Sequence, residues 1–323
     1  FNEEKRMRIA YLILCHKDPG HIKRLTDKIT IHTGDEAFVH VDGKSDVSPF
    51  AQALKGNPHV HILPQRVCVH WGGYSSIEAT VNLFRAAISW QGQQFDRFVV
   101  LQGLEYPIRA NRDIHVFFEK NAQKEFILAQ NISKSGNPED VHKYSLYWFL
   151  DSSSALWAKA IHWMNAKLFL KAGRIPHFKK NYVKNNADEK MDVYQGCAQF
   201  GVTGGLAAYI VQFHDENKGF NRYFRTMYAP DEAYFHTIVY NSPFVQSTPD
   251  GKAIARPHLT CFENLTYFEY PKLVTLFTQK EDWPKLRDSG FLFFRKASSE
   301  SGELLDYIDA QHLLQEKEDG KAE

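Results

Sequence analysis

The feature that most constrains this chain is the nearly unbroken apolar run Arg8-Ile-Ala-Tyr-Leu-Ile-Leu-Cys15. A run this rich in strand formers has no polar face to give to water, so it reads as a strand covered on both sides. Covering such a strand takes helices above and below the sheet, and the following residues supply them. A helix is expected over Gly20–Ile29, then a strand over Ala37–Val41 that ends in the turn Asp42-Gly43-Lys44. A third strand falls at His59–Leu63. A helix follows over Ser75–Ile88, where Ile77, Val81, Leu83, Phe84 and Ala87 recur at helical spacing. A fourth strand, Arg97–Leu101, runs into Gln102-Gly103. Strand–helix alternation over about 125 residues predicts an α/β fold with parallel strands. In such sheets ligands bind beyond the carboxyl ends of the strands. The residues just after the strands therefore matter most: His16, Asp42, Trp71 and Glu105.

Past residue 138 the pattern changes. Trp148 to Leu170 reads as an aromatic helix, and Lys179 to Asn186 as an exposed basic loop. Gly204–Phe213 and Asp231–Val239 read as helices, whereas 242–272, with Pro243, Pro249, Pro257 and Pro271, reads as irregular. A terminal helix over Gly302–Gln315 and a frayed, charged tail close the chain. The expected organisation is one catalytic-size domain over 7–300, in halves of 7–130 and 131–300, followed by the helix and tail of 301–323.

Charge narrows the classes of partner. With 39 Lys+Arg against 38 Asp+Glu, the chain lacks the basic excess of a dedicated nucleic-acid binder. No stretch approaches the roughly 18 consecutive apolar residues of a membrane-spanning helix. The four cysteines, Cys15, Cys68, Cys197 and Cys261, are scattered without a C-x-x-C pair. Scattered thiols suit a reducing compartment better than a disulfide framework or a zinc site, so a cytoplasmic location is expected. Peripheral contact with the inner face of a membrane is left open.

The familiar cofactor signatures are absent. Cys15-His-Lys-Asp-Pro-Gly20 has no G-x-G-x-x-G, and no Walker A loop, H-E-x-x-H or G-x-S-x-G occurs. There is no D-x-D, the usual handle for a metal and a diphosphate. His59 and His61 face one way on a strand, yet no third metal ligand is near in sequence. Four short segments hold the chemistry. Asp42 at a strand end either accepts hydrogen bonds from a base or ribose, or simply forms a turn. Gly103-Leu-Glu105-Tyr-Pro107 closes a strand with a polar turn. In Pro230-Asp231-Glu232, proline and acids suit the first turn of a helix; Asp231 reads as a cap, while Glu232 could serve as a general base. Arg295 and Lys296 follow an apolar run, where paired cations either neutralise a diphosphate or form a solvated edge.

Together these segments resemble the core-2/I-branching β-1,6-N-acetylglucosaminyltransferases and peptide O-xylosyltransferases, glycosyltransferase family 14. Seven segments match in order: Ile9–Lys17, His40–Lys44, Val69–Gly72, Leu101–Arg109, Gly196–Phe200, Pro230–Glu232 and Phe294–Lys296. The resemblance implies a GT-A-type fold, a Rossmann-like mixed sheet flanked by helices. It implies inverting transfer of a sugar from a UDP donor, most simply N-acetylglucosamine, with UDP-xylose the alternative and no metal required. Glu232 is then the base, Arg295 and Lys296 bind the diphosphate, and His16 and Asp42 line the uridine pocket. Trp71 is placed with the donor, and Glu105 and Gln199 at the acceptor floor. The 7–130 half becomes the UDP-binding part and the 131–300 half the acceptor and catalytic part. Glu105 stands where the family's G-x-D-x-P turn has aspartate, and Cys197 and Gln199 fall where it often has Ser and Trp.

Eukaryotic members carry an anchor and lumenal disulfides; this sequence suggests a bacterial relative acting on a glycan or lipid-linked saccharide. A methyltransferase would need a glycine-rich turn after the first strand. A non-catalytic carbohydrate-binding module would explain the aromatics but not a helix-start carboxylate facing paired cations.

Overall fold

The computed structural model describes residues 7–32, 34–173, 175–252, 265–271 and 273–319. Its centre is a five-stranded sheet containing β1 (Ile9–Cys15), β2 (Glu36–Val41), β3 (Val60–Ile62), β4 (Arg97–Leu101) and a further strand, β10 (Phe200–Thr203). The order is β10-β4-β1-β2-β3, parallel throughout except for the antiparallel β10 at one edge. Side chains alternate between the faces, as a period of two requires. Ala10, Leu12, Phe38, Phe98 and Val100 join one core, while Ile9, Tyr11, Ile13, Val39, Val99 and Leu101 join the other.

The second of these cores is closed by α1 (Pro19–Ile29), α2 (Ser48–Leu54), α4 (Asn111–Lys120), α10 (Trp283–Asp288) and α11 (Gly302–Asp319). Asp18 starts α1 by accepting a bond from the His21 amide at 3.1 Å, and Ile22, Leu25 and Ile29 bury one stripe. The first core is closed by α3 (Ser75–Ile88), α5 (Pro138–Ser145), α7 (Gly204–Glu216), α8 (Lys218–Phe224) and α9 (Tyr234–Tyr240). A remaining helix, α6 (Leu156–Met164), continues into a wider helical turn over Asn165–Leu170. No helix among the described residues is long and apolar enough to cross a membrane.

Among the described residues three small sheets complete the fold. β5 (Glu105–Pro107), β11 (Thr266–Phe268) and β12 (Phe293–Arg295) form one, in the order β11-β12-β5. β6 (Ala129–Asn131) pairs with β9 (Tyr194–Gly196), and β7 (Tyr182–Lys184) with β8 (Lys190–Asp192).

Several expectations need correction. Helix does not begin at Trp148: Phe149 (φ −106, ψ 58) and Ala155 (φ −71, ψ 140) leave the helical region, so Leu150–Ser152 is a separate turn, and it carries the Asp151 carboxylate. It accepts bonds from the Tyr74 and Ser75 amides at 2.9 and 3.2 Å and so caps α3 from a distance. The basic loop is not uniformly exposed. Lys179 is buried against the Tyr223 ring at 4.1 Å and donates to the Tyr223 carbonyl at 2.8 Å, and Tyr182–Lys184 is a strand. The helix expected at Asp231 breaks at Ala233, so Pro230–Glu232 is a short turn ahead of α9. The irregular stretch contains β11 at Thr266–Phe268, and residues 253–264 lie outside those described. The rings of His59 and His61 are hydrogen-bond partners of Glu36, at 3.2 and 2.6 Å. The terminal helix continues past Gln315 to Asp319, so the tail is helical that far.

Candidate functional site

A cleft of about 630 Å³ opens at the carboxyl ends of β1, β2 and β4. His16, Asp42, Trp71, Gln199, Glu232, Arg295 and Lys296 all line it, although they come from the whole length of the chain. Glu105 does not reach its surface and lies one layer behind.

The β1 and β2 ends are knitted together. The Asp42 amide donates to the Cys15 carbonyl at 2.8 Å, and the Ser45 hydroxyl to the His16 carbonyl at 2.8 Å. The Asp42 carboxylate accepts from the Lys44 and Val69 amides at 2.9 and 3.2 Å, so it is a turn-former that still borders the cleft. Burial, then the charges of Lys17 and Lys44, lower the pKa of His16, which favours a neutral ring at pH 7. Burial and Asp42 push the Cys15 thiol up to about 12, so it is a packing residue and not a nucleophile. Trp71 stands 77 % exposed at the rim, its ring edge-on to Tyr228 at 5.9 Å. It presents a flat apolar face at the mouth of the cleft.

Glu232 lines the same cleft. Its Oε2 receives the Lys143 ammonium at 3.3 Å and the Gln195 amide at 3.0 Å. These partners come from α5 and β9, and no spacing in the sequence links them to Glu232. Ala229, at φ 45, turns the chain just before this segment and donates its amide to the Gly72 carbonyl at 3.1 Å, tying it to the Trp71 loop. The neighbouring Asp231 also borders the cleft. Its residue surface is partly accessible, but its carboxyl is packed among protein atoms. Burial first, and Glu232 second, push it up to about 7.

Arg295 lies across from Glu105 in the β12–β5 register. Arg295 Nη1 donates to Glu105 Oε1 at 2.8 Å and to Gln102 Oε1 at 2.9 Å. Glu105 Oε2 accepts from the Gln102 and Leu104 amides at 2.9 and 3.1 Å, and Oε1 also receives Gln199 Nε2 at 3.3 Å. Glu105 thus positions two cleft residues from behind. The turn it closes needs Gly103, at φ +69, because a Cβ there would meet the Leu14 carbonyl oxygen at 3.0 Å. Burial, then Arg295 and Lys17, lower the pKa of Lys296, as expected of a cation crowded by cations. Among the described residues no three His, Cys, Asp or Glu side chains come together as a metal site.

Gln195 precedes the matched segment at Gly196, a small signal that could have flagged it; Lys143 offered none. Gly196 itself is packed so closely that a Cβ would lie 2.0 Å from the Leu128 carbonyl oxygen. Cys15 and Cys68 are free thiols, the Cys197 thiol donates to Gln199 Oε1 at 3.1 Å, and Cys261 lies outside the described residues.

Comparison with known proteins finds relatives over 76% of the chain. The chain is 24% identical to rat xylosyltransferase 2 over 250 residues, which is 76% of this chain and 26% of that protein. Human xylosyltransferase 2 is 25% identical over 250 residues, again 76% of this chain and 26% of that protein. Human xylosyltransferase 1 is 22% identical over 249 residues, or 76% and 23% of the two chains. The chain therefore spans about a quarter of the length of these relatives. The family model described as Core-2/I-Branching enzyme matches residues 9–253, from β1 through the Glu232 turn. The chain belongs to the Core-2/I-branching enzyme family of glycosyltransferases, with the mixed α/β sheet of a GT-A-like fold.

Proposed function

We propose that this protein transfers a sugar from a UDP donor to a hydroxyl of a glycan or lipid-linked saccharide, with inversion and without a metal. One observation carries the reading: Glu232 and the Arg295–Lys296 pair line the same cleft as His16 and Asp42 at the carboxyl edge of the sheet.

In this reading the uracil and ribose lie against His16 and Asp42, and the diphosphate against Arg295 and Lys296. Arg295 is held by Nη1 alone, which leaves Nε and Nη2 without a protein partner among the described residues. Those donors suit phosphate oxygens. Trp71 supplies an apolar plane for a sugar face. The acceptor hydroxyl attacks the anomeric carbon from the side away from UDP, forming the new glycosidic bond. Its proton passes to Glu232, and the bond from the anomeric carbon to the β-phosphate oxygen breaks with its electrons on UDP. Lys143 and Gln195 fix Oε2 of Glu232 and leave Oε1 for the proton. As charge grows on the diphosphate, two pre-placed cations stabilise the transition state more than the ground state.

N-acetylglucosamine is the donor sugar we favour. UDP-xylose is the second reading, favoured by the names of the relatives at 22 to 25% identity. The test is calorimetry with UDP and uridine, joined to a UDP-release assay with each donor. The proposal requires UDP to bind more tightly than uridine and one UDP-sugar to be turned over in the presence of an acceptor glycan. Absence of UDP binding would overturn it.

A further inference from the structure

We propose that the α6 segment is a docking surface for an anionic lipid bilayer. From Ser152 to Ala187 the sequence has no Asp or Glu, yet it carries six lysines. Lys179 is buried and Lys184 pairs with Asp188, which leaves Lys159, Lys167, Lys171 and Lys180 as the exposed lysines. In a chain of net charge +1, so one-signed a stretch is a local field.

The helix here is turned outward. Ala158 and Asn165 are its buried positions, and Ile161 and His162 are half-buried. The large apolar residues face away from the protein: Leu156 is 83 % exposed, Trp157 52 %, Trp163 60 % and Leu168 52 %. Burying these four side chains in an apolar medium is favourable, so leaving them bare is a cost that a partner removes. Lys159, Lys167 and Lys171 are exposed among them, without an acidic partner among the described residues. Tryptophan and leucine beside lysine, with no acid, is the composition of a helix lying in a negatively charged membrane interface. A protein partner of acidic surface would pair with the lysines but would gain little from two bare tryptophans; a bilayer engages both.

The patch is joined to the cleft. His162 of α6 packs on Trp148 at 5.8 Å, Trp148 on Tyr228 at 5.0 Å, and Tyr228 on Trp71 at 5.9 Å. A bilayer under α6 would therefore lie beside the Trp71 rim. An acceptor carried on a lipid would reach the cleft from that side.

The experiment is co-sedimentation of the full chain with vesicles of phosphatidylcholine, with and without phosphatidylglycerol, while UDP affinity is followed by calorimetry. Binding is expected only with phosphatidylglycerol, and weakened by salt. The double variant Trp157→Ser/Trp163→Ser and the triple variant Lys159→Glu/Lys167→Glu/Lys171→Glu should each lower partitioning about tenfold or more. Both should keep UDP affinity, which shows that they fold. Equal binding to neutral and anionic vesicles, no binding, or no effect of the variants would overturn the proposal. So would a dimer in sedimentation velocity that Trp157→Ser/Trp163→Ser dissolves, since the face would then belong to a second copy. Failure of UDP to bind would count against the reading of the cleft and leave the vesicle result standing.

Discussion

Glu105 and Arg295 are cross-strand partners of β5 and β12, with Oε1 and Nη1 2.8 Å apart, and only the arginine reaches the cleft. A fully buried carboxylate is thus matched to a cation that has free donors on its other side.

Arg295→Ala should therefore act twice. It strands the Glu105 charge, lowering stability by about 2 to 3 kcal/mol, below the range for a wholly buried pair because Arg295 is partly accessible. It should also weaken UDP binding. Adding Glu105→Gln should restore most of the stability, read by urea unfolding, and none of the UDP affinity. Recovery of both would show that the arginine only supports the fold.

Lys296→Ala isolates the phosphate effect. We expect UDP binding to weaken by about 1.5 to 3 kcal/mol, uridine binding to stay unchanged, and stability to move by less than about 0.5 kcal/mol. Because burial, and after it the charges of Arg295 and Lys17, lower the pKa of Lys296, UDP affinity should fall with rising pH earlier than for an ordinary lysine, and Lys296→Ala should lose that limb. Calorimetry across alkaline pH reads both.

Glu232→Gln keeps the shape and the Gln195 contact region but cannot take a proton. Turnover should drop by a factor on the order of 10² to 10⁴, with UDP affinity nearly unchanged. Asp231→Asn should cost much less. If the two variants exchange behaviour, Asp231, with its carboxyl pushed up to about 7, is the base.

Turnover should survive excess EDTA, and added Mn²⁺ should change the rate by less than about threefold, under 1 kcal/mol of barrier. Loss in EDTA restored by Mn²⁺ would make Asp42 a metal ligand and require another task for the paired cations.

Stability should fall in acid. Burial lowers the pKa of His236 to about 3 and of His214 to about 4, against an ordinary value of 6.5. Below pH 6.5 the unfolded chain binds protons that the folded chain refuses, so stability declines toward pH 4 by up to about 1.4 kcal/mol per pH unit for each such ring. His236→Gln should flatten the slope of a denaturation series between pH 6.5 and 4. An unchanged slope would mean that the buried ring does not contribute.

The strands and helices that were legible in the sequence are those with a strong period. The helix Ser75–Ile88 and the strand Arg97–Leu101 agree with expectation at both ends, because each pairs a buried stripe or face with a clear turn after it. The short strands β5, β11 and β12 were not legible, since three residues carry no period. Lys179 was misread because a lysine can be buried where carbonyls and aromatic faces replace water, and composition does not register that. At the cleft, the residues that border it were readable as strand-end and turn residues. The companions of Glu232 were not, because Lys143 and Gln195 arrive through folding alone.

The cap that Asp151 places on α3 has a consequence for synthesis. The helix that covers the sheet beside Trp71 has its first turn completed by a residue 76 positions later than Ser75. While the chain is still emerging from the ribosome, those amides have no partner until Asp151 appears, and β4 has no neighbour at its outer edge until β10 follows. A fragment ended near residue 130 would hold every parallel strand of the main sheet and still lack both closures. The part bearing His16 and Asp42 and the part bearing Glu232 are therefore made in sequence but mature together.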